Sequence, residues 1–164
     1  MTLVEPTASA YHRLLYTDYM DVKSSRNVVY RCIYHVVWCP KYRRPVITSA
    51  DPSLNNPPIF GDPGPVDSRL IEIIRQVCDE VGAEIVEIET MPDHVHILVG
   101  VDPQYGIAQL VRKMKGRTSR ILRQEFPSLR RRIPTLWTNS YFIATVGGAP
   151  LKIIQQYIAN QRNV

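Results

Sequence analysis

His94 and His96 flank a single apolar residue in the run Pro92-Asp93-His94-Val95-His96-Ile97-Leu98-Val99. Side chains alternate faces along a strand, so the two imidazoles point the same way while Val95, Ile97 and Val99 point into a core. Two imidazoles side by side on a rigid sheet are half of a metal site. Two histidines do not fill a coordination shell, so a third ligand and open positions are needed. Asp93 and Glu89 are near enough in sequence to orient the imidazoles through their other ring nitrogens. The plainer reading, two structural histidines, stays open at this point, as does zinc-dependent hydrolysis.

The far end of the chain offers the missing parts. Tyr157 and Gln161 are four residues apart, hence one turn from each other on the same helix face. A glutamine amide oxygen is a hard ligand suited to Mg²⁺ or Mn²⁺. A tyrosine phenol beside a metal-bound phosphate is a nucleophile once it loses its proton, for which its ordinary pKa near 10 requires a positive field or a base. The metal would polarise the phosphoryl oxygens. From spacing alone, the pair could equally be an amphipathic helix residue and a solvated one.

The elements that must position these groups follow from periodicity. Val28 to Cys39 is β-branched and aromatic and reads as a central strand. Asp67 or Ser68 can cap a helix reaching Val81, whose apolar residues Leu70, Ile71, Ile73, Ile74, Val77 and Cys78 fall at helical spacing. Gly82 ends it. Ala83–Thr90 and His94–Val101 form a hairpin turning at Met91-Pro92-Asp93. A second helix runs from about Gln104 to Phe126, with Ile107, Leu110, Val111, Met114, Ile121 and Leu122 as its apolar stripe, and Pro127 ends it. Tyr141–Val146 is a fourth strand. Gly147-Gly148 forms a flexible joint before a last helix from Pro150 to about Gln161. The order β-α-β-β-α-β-α predicts an α+β fold, a ferredoxin-like antiparallel sheet with an added C-terminal helix carrying Tyr157. Residues 1–26 read as an N-terminal arm, and 27–164 as one domain. Within it, residues 48–66 form a loop with five prolines, Pro52, Pro57, Pro58, Pro63 and Pro65.

Length and composition bound the function. A chain of 164 residues with 45% hydrophobic content can bury one core. No apolar run approaches the roughly 20 residues of a membrane span, and the first residues lack a secretory pattern. Cys32, Cys39 and Cys78 are an odd set with no CxxC spacing, which argues against a zinc ribbon or a disulfide framework and fits a reducing cytoplasm. Net charge is +5, and its distribution is informative. Between Arg112 and Arg132 lie nine basic residues, among them Arg112, Lys113, Lys115, Arg117 and Arg120, against one acidic, Glu125. Lys41-Tyr42-Arg43-Arg44 interleaves an aromatic with cations, a composition suited to single-stranded DNA. The basic helix suits the phosphates of a hairpin. The alternative is a solvated helix face and an exposed turn. Trp38 and Trp137 are core residues or base-stacking ones, and His35 reads as an ordinary buried histidine.

His94-Val95-His96 followed downstream by Tyr157-Ile158-Ala159-Asn160-Gln161 resembles the HUH pair and YxxxQ helix of the IS200/IS605-family transposases, the single-tyrosine (Y1) enzymes. The likeness extends through Tyr34-His35-Val36-Val37-Trp38-Cys39-Pro40-Lys41-Tyr42-Arg43, Met91–Val99, Lys113-Met114-Lys115-Gly116, Leu136-Trp137 and Ser140-Tyr141, covering roughly residues 28 to 161 in the family's order. It implies a DNA transposase that cleaves and rejoins single-stranded DNA at hairpin-marked ends through a 5′-phosphotyrosine intermediate. It implies Tyr157 as nucleophile, and His94, His96 and Gln161 as ligands of one divalent metal, Mg²⁺ or Mn²⁺. It further implies a homodimer in which the tyrosine helix can complete the partner's site. A domesticated relative acting on palindromic repeats (a REP-associated tyrosine transposase) and a non-catalytic hairpin-binding regulator are the alternatives. A binding role alone does not require all four of His94, His96, Tyr157 and Gln161. The arm 1–26 and the loop 48–66 depart from the compact family pattern without touching the motifs.

Overall fold

The structure is a computed structural model that describes residues 23–25 and 28–145. The arm before Lys23, the Gly147-Gly148 joint and the expected helix with Tyr157 and Gln161 lie outside the described residues. The chain divides into two units, Met1–Arg31 and Cys32–Val164. In the first, β1 (Lys23–Ser25) pairs antiparallel with β2 (Val28–Tyr30).

The second unit is α+β. Its elements are β3 (Ile33–Trp38), α1 (Val66–Val81), β4 (Glu84–Met91), β5 (His94–Gly100), α2 (Ile107–Glu125), α3 (Pro127–Arg132) and β6 (Phe142–Thr145). The four strands form one antiparallel sheet in the order β4-β5-β3-β6. The expected single strand Val28–Cys39 is therefore broken, with β2 in the first unit and β3 in the sheet. The break has a local cause. Ile33 pairs with Gly100, and the Val101 N–H donates to the Cys32 carbonyl at 3.1 Å. Beyond them Asp102-Pro103 leaves the sheet, and Pro103 has no N–H to extend the ladder.

One face of the sheet is covered by both long helices. Val36 and Trp38 of β3 and Val95, Ile97 and Val99 of β5 are fully buried in one cluster with Leu70, Ile73, Ile74 and Val77 of α1 and Leu110, Val111, Met114 and Leu122 of α2. Both helices bury residues at three- and four-residue spacing, as an amphipathic helix on a sheet must. Gly82 ends α1 in the left-handed region at φ 69°, and the next N–H, of Ala83, donates to the Cys78 carbonyl at 2.9 Å, a Schellman closure.

The start of α1 differs from expectation. Neither Asp67 nor Ser68 caps it. Instead Thr48 accepts from its first turn, its Oγ1 from the Val66 N–H at 3.0 Å and its carbonyl from the Asp67 N–H at 3.0 Å. The fully buried Thr48 thus ties the beginning of the Pro-rich loop to its end. Pro127 does not simply end a helix either; it opens α3 as a first-turn proline after Phe126 leaves helical geometry.

A β-bulge phases β4. The register steps from Ile85 opposite Val99 to Glu87 opposite Leu98, leaving Val86 as the extra residue, 45% exposed. Without that extra residue, Glu87 would fall opposite the buried Ile97. With it, Ile88 opposes Ile97 and Glu89 opposes His96.

Candidate metal centre and nucleic-acid face

The sheet face away from the helices carries the histidines. His94 and His96 project from β5, and His35 projects from the adjacent β3. Asp93 sits in the tight turn between β4 and β5. Its Oδ1 lies 2.7 Å from His94 Nδ1, and its Oδ2 accepts from Arg43 Nε at 2.7 Å. Burial pushes the Asp93 carboxyl up, but the hydrogen bonds and charges of His94 and Arg43 together outweigh it and hold the group below its ordinary range. With Nδ1 engaged by a carboxylate, His94 keeps Nε2 for a ligand, the usual arrangement of a metal-binding histidine.

His96 makes the stronger case. Its Nε2 is buried and has no hydrogen-bond partner. Its Nδ1 is 4.0 Å from Glu89 Oε2 across the ladder. An imidazole nitrogen buried without a partner is costly in an ordinary core and natural where a cation is to be coordinated. Burial, with smaller contributions from His35 and His94, pushes His96 down to about 3, so the ring is neutral with a lone pair to donate. The His35 ring meets it edge-on, centroids 4.0 Å apart and planes at 71°, and burial lowers the His35 pKa. Among the described residues no group of three or more His, Cys, Asp or Glu converges to hold a metal. The histidine pair could supply two positions of a metal shell, and the described residues supply no such third ligand.

The expected DNA-binding cations fall into distinct settings. Lys113 Nζ lies 3.0 Å from Glu80 Oε2, and Arg117 pairs with the same carboxylate. Lys115 is turned inward. Its ammonium donates to three successive carbonyls, Thr138 at 2.7 Å, Asn139 at 3.1 Å and Ser140 at 3.0 Å, and lies 5.2 Å from the Tyr141 ring centroid. Burial pulls it down to about 8, which still leaves it charged at neutral pH. Arg112 and Arg120 are exposed on α2. A cavity of about 470 Å³ is lined by Arg112, Lys115, Gly116, Ser119, Asn139 and Tyr141, among others.

The Lys41–Arg44 turn is built differently. Tyr42 and Arg43 are both left-handed, at φ 58° and φ 50°, a conformation that costs a non-glycine residue on the order of 1 kcal/mol. Arg44 Nη1 donates to the Arg132 carbonyl at 2.7 Å. Tyr42 stays 51% exposed, with Lys41 Nζ 5.2 Å from its ring centroid. The tryptophans, in contrast, are core. Trp38 and Trp137 are 0% and 6% exposed and meet edge-to-face at 6.0 Å, and Trp137 Nε1 donates to Thr118 Oγ1 at 2.9 Å. Cys32, Cys39 and Cys78 are free thiols. Burial pushes Cys39, close to Arg43 and Asp93, up to about 11, so it is an unreactive thiol.

Sequence reasoning missed the Arg43–Asp93 contact and the Lys115 clamp. The signals were present, as two motif residues fifty positions apart and as the Lys113–Gly116 run, but their partners are not local.

The described residues thus place a histidine pair on the sheet face opposite the helices, and comparison with known sequences assigns the chain to a family. Residues 28–161 match the family described as "Transposase IS200 like", and the chain belongs to that family of DNA transposases. It is 33% identical over 146 residues to the ISDra2 transposase TnpA of Deinococcus radiodurans, covering 88% of this chain and 94% of the relative. It is 30% identical over 144 residues to the transposase for insertion sequence element IS200 of Salmonella typhimurium, covering 86% of this chain and 84% of the relative. A crystal structure of a candidate transposase from Deinococcus radiodurans R1 superposes with a TM-score of 0.71 at 34% identity, over 87% of this chain and 99% of the other. No helix among the described residues is long and apolar enough to cross a membrane.

Proposed function

We propose that this transposase cleaves and rejoins single-stranded DNA by tyrosine transesterification at the histidine face. The observation that carries the reading is the buried, partnerless Nε2 of His96 beside His94, whose other nitrogen is held by Asp93. His94 and His96, with Gln161, would hold one divalent ion, Mg²⁺ or Mn²⁺. When bound, that ion supplies Lewis acidity toward a phosphodiester oxygen. The Tyr157 phenol gives up its proton to solvent as its oxygen attacks phosphorus, the P–O3′ bond breaks, and the leaving 3′ oxygen takes a proton from solvent to become a hydroxyl. The 5′ phosphate stays on Tyr157 as an ester, and attack by another 3′ hydroxyl reverses the step and joins strands. Asp93 keeps the His94 ring in one orientation throughout, and neutral His96 needs no proton loss before it binds a cation.

The strand order β4-β5-β3-β6, with one long helix in each of the two crossovers, supports a ferredoxin-like arrangement completed by the tyrosine helix. Hairpin DNA as the bound form, with Lys41, Tyr42, Arg43, Arg44, Arg112, Lys113, Arg117 and Arg120 lining its path while Lys115 holds the 138–140 segment, and a homodimer that exchanges the tyrosine helix belong to the same proposal.

The test is covalent capture. The wild-type protein, incubated with labelled hairpin-bearing single-stranded DNA and Mn²⁺, forms a protease-sensitive adduct that chelation prevents. Tyr157→Phe forms none yet still retards the DNA. Adduct formation by Tyr157→Phe removes the assigned nucleophile.

A further inference from the structure

Tyr42 keeps a large aromatic ring at a backbone position that favours glycine. Its φ of 58° and ψ of 20°, followed by Arg43 at φ 50°, are sparsely populated for such side chains. Residues held this way concentrate where function needs them. The turn is fastened on several sides. The Lys41 N–H donates to the Leu136 carbonyl at 2.8 Å, and the Arg43 N–H to the Pro40 carbonyl at 2.8 Å. Arg43 Nε donates to Asp93, and Arg44 Nη1 to the Arg132 carbonyl. What the turn presents is the ring itself, 51% exposed with the Lys41 ammonium near its face. An exposed aromatic face beside a cation is what an unpaired nucleobase and its phosphate stack against.

The turn that carries the ring is also tied to the histidine strand. One carboxylate, Asp93, holds Arg43 through Oδ2 and His94 through Oδ1, each at 2.7 Å. The strained turn and the His94 ring therefore share one anchor. Resting on single-strand cleavage at the histidine pair, we propose that Tyr42 stacks one unpaired base of the DNA strand. The Arg43–Asp93–His94 linkage then sets which phosphate, counted from that base, reaches the histidines. Tyr42 is in this reading a ruler for the cleavage position.

The test uses the full-length protein and a hairpin oligonucleotide with single-stranded tails carrying 2-aminopurine at successive tail positions. Binding is followed by fluorescence without metal, and the cut position is mapped with Mn²⁺. Wild type and Tyr42→Phe quench the probe at one or two adjacent positions and cut one phosphate. Tyr42→Gly, which suits the left-handed backbone and melts no lower than wild type, loses the quench. It binds the tails roughly 5- to 150-fold more weakly, the range for one lost base stack, and its cuts spread over neighbouring phosphates. Retention of the localised quench by Tyr42→Gly overturns the stacking. Loss of the quench with an unchanged single cut overturns the ruler. If wild type forms no covalent adduct, the transesterification reading fails, while the fluorescence arm still decides whether Tyr42 stacks a base.

Discussion

Along β5, Val95, Ile97 and Val99 are fully buried beneath α1 and α2, while His94 and His96 between them keep 18% and 16% of their side chains exposed on the opposite face. Adjacent residues of one strand thus meet opposite demands. On the helix side the β5 side chains are apolar and packed, and deletion there costs stability. On the histidine side the His96 Nε2 is buried without a partner, an arrangement that lowers stability and that coordination of a cation would relieve. The contrast separates the two roles residue by residue, and it can be broken experimentally.

The largest effect is expected at His96. His96→Leu removes a nitrogen proposed to hold the metal, and losing several kcal/mol of metal-supplied transition-state stabilisation corresponds to a fall in Mn²⁺-dependent cleavage on the order of 10³-fold. The same change removes an unsatisfied buried group, so the melting temperature in chelator stays level or rises. A lower melting temperature with retained cleavage would reverse the assignment of the two faces.

Next in size is Ile97→Ala, one position along and facing the helices. It deletes a fully buried side chain and should cost about 2–5 kcal/mol in denaturant unfolding. At a temperature where the variant remains folded, cleavage per folded molecule should match wild type. Asp93→Asn comes third. It weakens the orientation of His94 and releases Arg43, and the loss of such a supporting carboxylate lowers metal affinity roughly 10- to 100-fold. Mn²⁺ titration by calorimetry reads it directly, with unfolding measured in parallel.

Much of this contrast was legible in the sequence, because it is carried by alternation. His94, Val95, His96, Ile97 and Val99 sort onto two faces by a period of two, and α1 and α2 declare themselves by apolar spacing. The four strands of the sheet and the two long helices between them followed. What escaped depends on contacts distant along the chain. The bulge at Val86 is invisible in composition, yet it decides that Glu89 rather than Ile88 opposes His96. The break before β3 depends on where β5 ends. Thr48 caps α1 from eighteen residues away, a partner no local capping rule finds. The left-handed Tyr42 is hidden for a further reason, since neither glycine nor asparagine marks it.

The smallest effects concern the cations, where the same question returns as which charges are committed within the protein. Lys113 and Arg117 share Glu80, whose carboxyl their hydrogen bonds hold down at about 2. The carboxyl is thus ionised at every pH above its ordinary range, and the pairing opens only as pH falls through that range toward 2. Lys41 instead sits over an exposed ring. At neutral pH the salt dependence of single-strand binding separates the two, since each phosphate contact contributes about 0.7 to the slope of log affinity against log salt. Lys41→Ala should lower the slope by about that amount. Lys113→Ala should lower it by less, because Glu80 competes with phosphate for its charge. Glu80→Gln removes the competitor, and in that background Lys113→Ala should match Lys41→Ala. Equal slopes for the two lysine variants with Glu80 intact would show that the ion pair opens at no cost when DNA binds, and the helix layer would then belong with the histidine face as a DNA-contacting surface.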